Sequence, residues 1–128
     1  MISKNICLGG ETIPRKASES RLKARKIVEF AKNKQAQRPV ILDVRDFPIL
    51  GNYFIICSGD TPPQIDAICK EIVRNCKENN IAVHHWEKDD SRQWLLIDCF
   101  DVIVHIFTEE KRNYYRLEEL WKTAKRLR

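Results

Sequence analysis

A chain of 128 residues with 43% hydrophobic content suits one globular domain built on one core. No apolar run approaches the ~18 residues that span a bilayer, and Met1 to Gly10 lacks the apolar stretch of a secretory signal, so neither a membrane-spanning nor an exported protein is expected. The net charge of +5 is unevenly spread, with +7 over residues 1–38, −7 over 39–110 and +5 over 111–128, which argues against a pure RNA binder carrying a basic stripe across its folded body.

Residues 1–19 lack periodicity, hold Gly9-Gly10 and Pro14, and read as a mobile tail ahead of a domain over 20–128. Glu11 and Glu19 speak against an organellar transit segment there. Ser20 is a good N-cap, and Ala24, Ile27, Val28 and Ala31 recur at helical spacing, with Arg21, Arg25, Lys32 and Lys34 on the other face and a stop over Gln35 to Pro39. Val40 to Val44 and Tyr53 to Cys57 are nearly continuous apolar runs of the buried-strand type, joined by a loop over Arg45 to Asn52. The second helix has the stronger start: Thr61 as N-cap, Pro62 at the first position and Gln64 completing a capping box. Ile65, Ile68, Cys69, Ile72 and Cys76 form its apolar face, and Lys77 to Asn80 closes it. Ala82 to Trp86 is a shorter strand, followed by a polar loop from Glu87 to Arg92.

Trp94 to Cys99 and Val102 to Phe107 are two apolar runs separated by Phe100-Asp101, the pattern of a tight hairpin. Glu109 to Arg128 reads as a last helix, with Leu117, Leu120, Trp121 and Ala124 buried and Lys122, Lys125, Arg126 and Arg128 at the C-terminal end of the dipole. The order αββαβββα predicts a single α/β domain, a mixed sheet with flanking helices. Cys7, Cys57, Cys69, Cys76 and Cys99 are odd in number and form no C-x-x-C, against a disulfide framework or a zinc ribbon. They imply a reducing compartment, the cytoplasm or an organellar matrix or stroma.

With Phe100 and Asp101 as the loop, Cys99 pairs with Val102 and Leu96 with His105. Trp94, Leu96, Asp98, Ile103, His105 and Phe107 then share one face, and Asp98 and His105 become diagonal neighbours within hydrogen-bonding reach. Two readings stand: a recognition surface on rigid strands, or an Asp–His pair satisfying itself in the core. A nucleotidyltransferase needs converging carboxylates for its metal ions. Asp98 and Asp101 lie across a turn and fail same-side placement, so no catalysis is expected. His84-His85-x-Glu87 is set aside as a metal site because adjacent strand residues point to opposite faces. No P-loop or G-x-G-x-x-G is present, so no cofactor is expected. The acidic middle is repelled by phosphate and attracted to a basic protein surface, the pattern of a partner that is a basic protein embedded in RNA; solubility charge with no partner is the alternative.

Trp94-Leu95-Leu96-Ile97-Asp98 followed by Asp101-Val102-Ile103-Val104-His105-Ile106-Phe107 resembles the W-x-x-x-D…D-V-V-V-H-x-F signature of the Iojap/RsfS family. The resemblance continues through Glu110, Arg112, Tyr115 and Leu117-Glu118-x-Leu120-Trp121, and upstream through Leu42-Asp43-Val44, Tyr53-Phe54, Ser58-Gly59, Gln64 and Ala67-Ile68. Asn52 stands where the family has Asp, Lys88 where it has Gly after Glu, and Phe100 where it has Gly before Asp. The resemblance implies a nucleotidyltransferase-like fold without catalytic carboxylates. It implies a ribosomal silencing factor that binds ribosomal protein fourteen of the large subunit, blocks small-subunit joining and lowers translation. It also implies a role in large-subunit maturation, and a homodimer when the protein is free. The candidate contact residues are Trp94 as anchor, with Leu96, Asp98, Phe100, Asp101 and His105 around it and Glu87, Arg112 and Tyr115 at the margin. Asp89 and Asp90 add steering charge, and the basic ends, Arg21 to Lys34 and Lys122 to Arg128, are candidates for peripheral rRNA contact.

Overall fold

The computed structural model describes residues 5–8, 11–47, 51–120 and 125–127. Its elements are β1 (Asn5–Leu8), β2 (Glu11–Pro14), α1 (Arg15–Lys32), β3 (Gln37–Asp43), β4 (Tyr53–Gly59), α2 (Pro62–Glu78), β5 (His85–Lys88), β6 (Trp94–Cys99), β7 (Val102–Thr108), α3 (Glu109–Tyr115), α4 (Leu117–Leu120) and β8 (Lys125–Leu127). Six strands form one mixed sheet in the order β5-β6-β7-β4-β3-β8, in which β4 and β7 are the parallel pair. β1 and β2 pair separately. Among the described residues no helix is long and apolar enough to cross a membrane.

Alternation along the strands divides the sheet into two faces. One face gives Tyr53, Ile55, Cys57, Leu95, Ile97, Cys99, Val102, Val104 and Ile106 to the main core. The apolar stripes of α1 (Ala24, Ile27, Val28, Ala31) and α2 (Ile65, Ile68, Cys69, Ile72, Cys76) cover it, as their helical spacing predicts. The opposite face gathers Leu42, Val44, Phe54, Ile56 and Phe107, with Trp94, Ile103 and Leu117 packed half-buried against them. Burial along β6 alternates strictly, with Leu95, Ile97 and Cys99 buried and Trp94, Leu96 and Asp98 only half-buried. Among the described residues the second face is therefore left open around β6.

Helix signals and structure agree best at α2. Thr61 caps it, accepting from the Gln64 N–H at 3.3 Å, while the Gln64 side chain accepts from Asp60 N–H at 2.7 Å. Asn80, at φ 59°, supplies the left-handed turn after its end. At α1 the helix runs from Arg15, upstream of the expected cap at Ser20. Ser20 therefore lies inside the helix, and its buried hydroxyl donates to the Asp101 carboxylate.

Two other expectations are corrected. The strand expected over Ala82 to Trp86 is β5, which begins at His85 and takes in Glu87 and Lys88, residues the composition assigns to a loop. Pairing with Leu96 and Leu95, and a Lys88–Asp66 ion pair of 3.0 Å to α2, override that local polarity. The C-terminal segment is not one helix. Arg116 adopts a left-handed φ of 50° and its N–H caps α3 on the Arg112 carbonyl, after which α4 is a single turn and Lys125–Leu127 pairs with β3. The positions expected for Trp121, Lys122, Ala124 and Arg128 lie outside the described residues.

The open sheet face as candidate functional site

The β6–β7 hairpin has the register the sequence predicts: Cys99 opposite Val102, Leu96 opposite His105 and Trp94 opposite Phe107. Its turn is strained at one point. Phe100 has φ 71° while Asp101 does not, the pattern of a type II′ turn, which prefers glycine at the first loop position. Gly51, at φ 97°, lies under this turn; a Cβ there would stand 3.2 Å from the Asp101 carbonyl oxygen. That close approach lets the same carbonyl accept from the Asn52 and Tyr53 N–H groups at 2.8 and 3.1 Å.

On the open face an aromatic cluster surrounds Trp94. Its ring stacks on Phe107 (5.2 Å between centroids, 26°) and tilts against Tyr115 at 5.1 Å. The indole N–H donates to His105 Nδ1 at 3.3 Å. His105 is 6% exposed and sits edge-on to Phe54 at 4.9 Å. Burial pushes its pKa down from the usual 6.5 to about 4, so it is a neutral imidazole. A groove of about 150 Å³ runs beside the indole between Trp94, Leu96, Glu87, Lys88 and Asp89. Because Glu87 is directly opposite Leu96 in the β5–β6 ladder, it stands on the same face, exposed.

Trp94, Leu96, Asp98 and His105 thus share the face as expected, with Glu87 and Tyr115 on its border, but three assignments change. Asp98 does not meet His105. Its Oδ1 accepts from Phe100 N–H at 2.8 Å and its Oδ2 faces His85 Nδ1 at 3.8 Å. His105 has Trp94 and Asp98 as its two diagonal neighbours and bonds only Trp94, while the turn's free N–H draws the carboxylate away. Asp101 turns toward α1, where Ser20 and Lys23 both contact its carboxylate. The two aspartates therefore diverge. Arg112 cannot meet a partner, being 2% exposed. Its nitrogens donate to Ser58 Oγ and Gln37 O (both 3.0 Å), Arg38 O (2.7 Å) and Glu118 (2.7 Å), which pins α3 to β3, β4 and α4. Burial raises the Glu118 carboxyl, and the Arg112 hydrogen bonds together with the charges of Arg112, Arg38 and Arg126 more than offset this, leaving it below the usual range.

Phe100 is 56% exposed at the hairpin tip, packed on His84 at 5.2 Å. Asp89 is tied into its own loop, accepting from Trp94 N–H and Gln93 N–H at 3.2 Å. Sequence reasoning missed Tyr114, 72% exposed with Lys111 Nζ 5.0 Å above its ring. Two adjacent tyrosines on a short helix were the available signal, since they cannot share one buried stripe. It also missed that His84 and His85 converge with Asp98. Strand alternation does not apply to them, because His84 precedes β5. The basic residues Arg21, Arg25, Lys26 and Lys32 line the outer side of α1, behind the sheet from the aromatic cluster. Burial pushes the Cys57 and Cys69 thiols up to about 12 and about 11, which makes them inert packing groups.

The family model described as "Ribosomal silencing factor during starvation" matches residues 17–128. The ribosomal silencing factor RsfS of Bacillus subtilis is 39% identical over 92 residues, 72% of this chain and 78% of that protein. A Bacillus halodurans crystal structure superposes with a TM-score of 0.71 at 30% identity, covering 86% of this chain and 98% of that one. A more distant mouse relative, 24% identical over 98 residues, covering 74% of this chain and 43% of that protein, is named mitochondrial assembly of ribosomal large subunit protein 1.

Proposed function

The chain belongs to the ribosomal silencing factor family, and from that premise we propose that it binds the large ribosomal subunit through the open sheet face and represses translation without catalysing any reaction. The bound surface is ribosomal protein fourteen at the intersubunit face, and bound protein blocks small-subunit joining by occupying space. The observation that most supports this reading is the half-buried aromatic patch around Trp94, left open among the described residues. An indole half-exposed on rigid strands, stacked on Phe107 and bordered by Leu96 and Tyr115, is the kind of anchor that dominates interfaces. Glu87 on its border gives the patch a negative edge for a basic ribosomal protein. The basic outer side of α1 lies behind the sheet and meets rRNA phosphates from the far side.

Sedimentation with purified subunits tests the reading. The chain is expected to pellet with large and not small subunits, and to reduce joining when small subunits are added. Trp94→Ala should weaken binding by about thirtyfold or more, an anchor's loss of ~2 kcal/mol, with an unchanged circular dichroism spectrum. A folded Trp94→Ala variant that binds like the parent would sink the proposed surface. The mouse relative's name favours a second reading, an assembly factor for the large subunit. Preference for immature over mature large particles, with no effect on joining, would select it.

A further inference from the structure

We propose that His84, His85 and Asp98 form a binding site for one divalent transition-metal ion of the zinc class. One ring nitrogen of each histidine and one Asp98 oxygen lie within 4.8 Å of one another, and no other such group of three is present among the described residues. The backbone has already brought them together. His84 N–H donates to the Asp98 carbonyl at 2.8 Å, and His85 stands directly opposite Asp98 in the β5–β6 ladder. The two imidazoles are 5.0 Å apart at 78°, so they approach the carboxylate from different directions rather than stacking.

Two imidazoles and a carboxylate are a borderline donor set. It suits zinc, nickel or copper and not the all-oxygen preference of magnesium or calcium. Zinc bonds of about 2.0–2.1 Å place tetrahedral donors roughly 3.3 Å apart. The 3.8 Å gap between His85 Nδ1 and Asp98 Oδ2 is close to that spacing and too long for a hydrogen bond, so the pair does not satisfy itself. The widest separation must close by roughly 1.5 Å. Both histidines are exposed and Asp98 is half-buried, so this closure needs side-chain rotation and no movement of the core. Asp98 also has an orienting contact: the Phe100 N–H holds its other oxygen at 2.8 Å. Three protein ligands leave a fourth position for water.

The test uses the full chain without an affinity tag and needs no ribosome, so its outcome is separate from that of the subunit-binding reading. Calorimetric titration with zinc chloride should saturate at one ion per chain, at least tenfold tighter than with magnesium chloride. The thermal unfolding midpoint should rise with zinc. His84→Ala, His85→Ala and Asp98→Asn should each weaken binding about tenfold or more with the fold retained by circular dichroism. The cobalt derivative should show ligand-field bands and no thiolate charge-transfer band. No saturable uptake of zinc, variants that bind like the parent, or a thiolate band placing the ion on a cysteine would each overturn the proposal.

Discussion

The Trp94 indole N–H donates to His105 Nδ1 at 3.3 Å, and this bond fixes the state of a buried histidine. An indole is donor only, so Nδ1 is the acceptor and the imidazole proton resides on Nε2. Protonation at Nδ1 would set two N–H groups against each other in a site where burial already disfavours charge. His105 has its pKa near 4 folded against 6.5 ordinarily. The unfolded chain therefore binds more protons between those values, and stability falls as pH falls through the window. From pH 7 to pH 5 the loss is about 2 kcal/mol. Glu118 and Asp43, whose carboxyls lie below their ordinary range, act at lower pH and leave the window to His105. Urea unfolding at pH 7, 6 and 5 should show this slope in the parent and a much flatter one in His105→Gln.

Leu95 and Leu96 are neighbours on β6 with opposite fates, and that contrast tests which face is free. Leu95 is 1% exposed against α2, whereas Leu96 is half-buried on the open face. Leu95→Ala should cost about 2–5 kcal/mol of stability through cavity formation. Leu96→Glu should unfold at nearly the parental temperature and still lose large-subunit binding by more than about tenfold, because it sets a charge beside the Trp94 anchor. Thermal melts and sedimentation on the pair separate the two effects. Normal subunit binding by folded Leu96→Glu would count against the open face.

Much of this arrangement was legible in the sequence where the signal is local and periodic. The hairpin register follows from two apolar runs spaced by two residues, and both long helices show their buried stripes at i, i+3, i+4 spacing. What escaped is set by distant contacts. Nothing near Arg116 announces its left-handed turn, and the apolar pattern from Leu117 onward continues in helical period across it. β8 forms because the edge of β3 needs a partner, which is a tertiary demand. The helical position of Arg112 looks like that of any surface arginine. Its burial depends on carbonyls from Gln37 and Arg38, far away in sequence. The sequence places both Trp94 and Asp98 on diagonals of His105, and the pattern alone does not say which of them bonds it.

Arg112 should matter for folding rather than recognition. Its guanidinium engages Ser58, Gln37, Arg38 and Glu118 at 2% exposure. Truncation leaves Glu118 without its hydrogen-bonding counter-ion and takes a donor from the Arg38 carbonyl, while the Gln37 carbonyl keeps only the longer Ser58 Oγ donor at 3.3 Å. Arg112→Ala is expected to cost about 3–5 kcal/mol. Arg112→Lys should recover little, since an ammonium cannot span donors fixed in a planar fork. Denaturant titration measures both. A stable Arg112→Ala variant with weakened subunit binding would return this residue to the contact surface.

Phe100 occupies a position whose backbone asks for glycine. Its φ of 71° costs a side-chain-bearing residue about 1–2 kcal/mol, and at 56% exposure the ring regains little by burial. Glycine removes that strain but loses more freedom on folding, roughly 0.5–1 kcal/mol. Phe100→Gly is therefore expected to stabilise the chain by about 0.5–1 kcal/mol, and Phe100→Val, β-branched at the same φ, to destabilise it. The Phe100 N–H that holds Asp98 is backbone and survives either change, so the orientation of the Asp98 carboxylate should persist in Phe100→Gly. Urea midpoints for the two variants should move in opposite directions. If Phe100→Gly is instead less stable than the parent, the contact of the Phe100 ring with His84, 5.2 Å between centroids, outweighs the backbone strain and the ring is part of the fold of the hairpin tip.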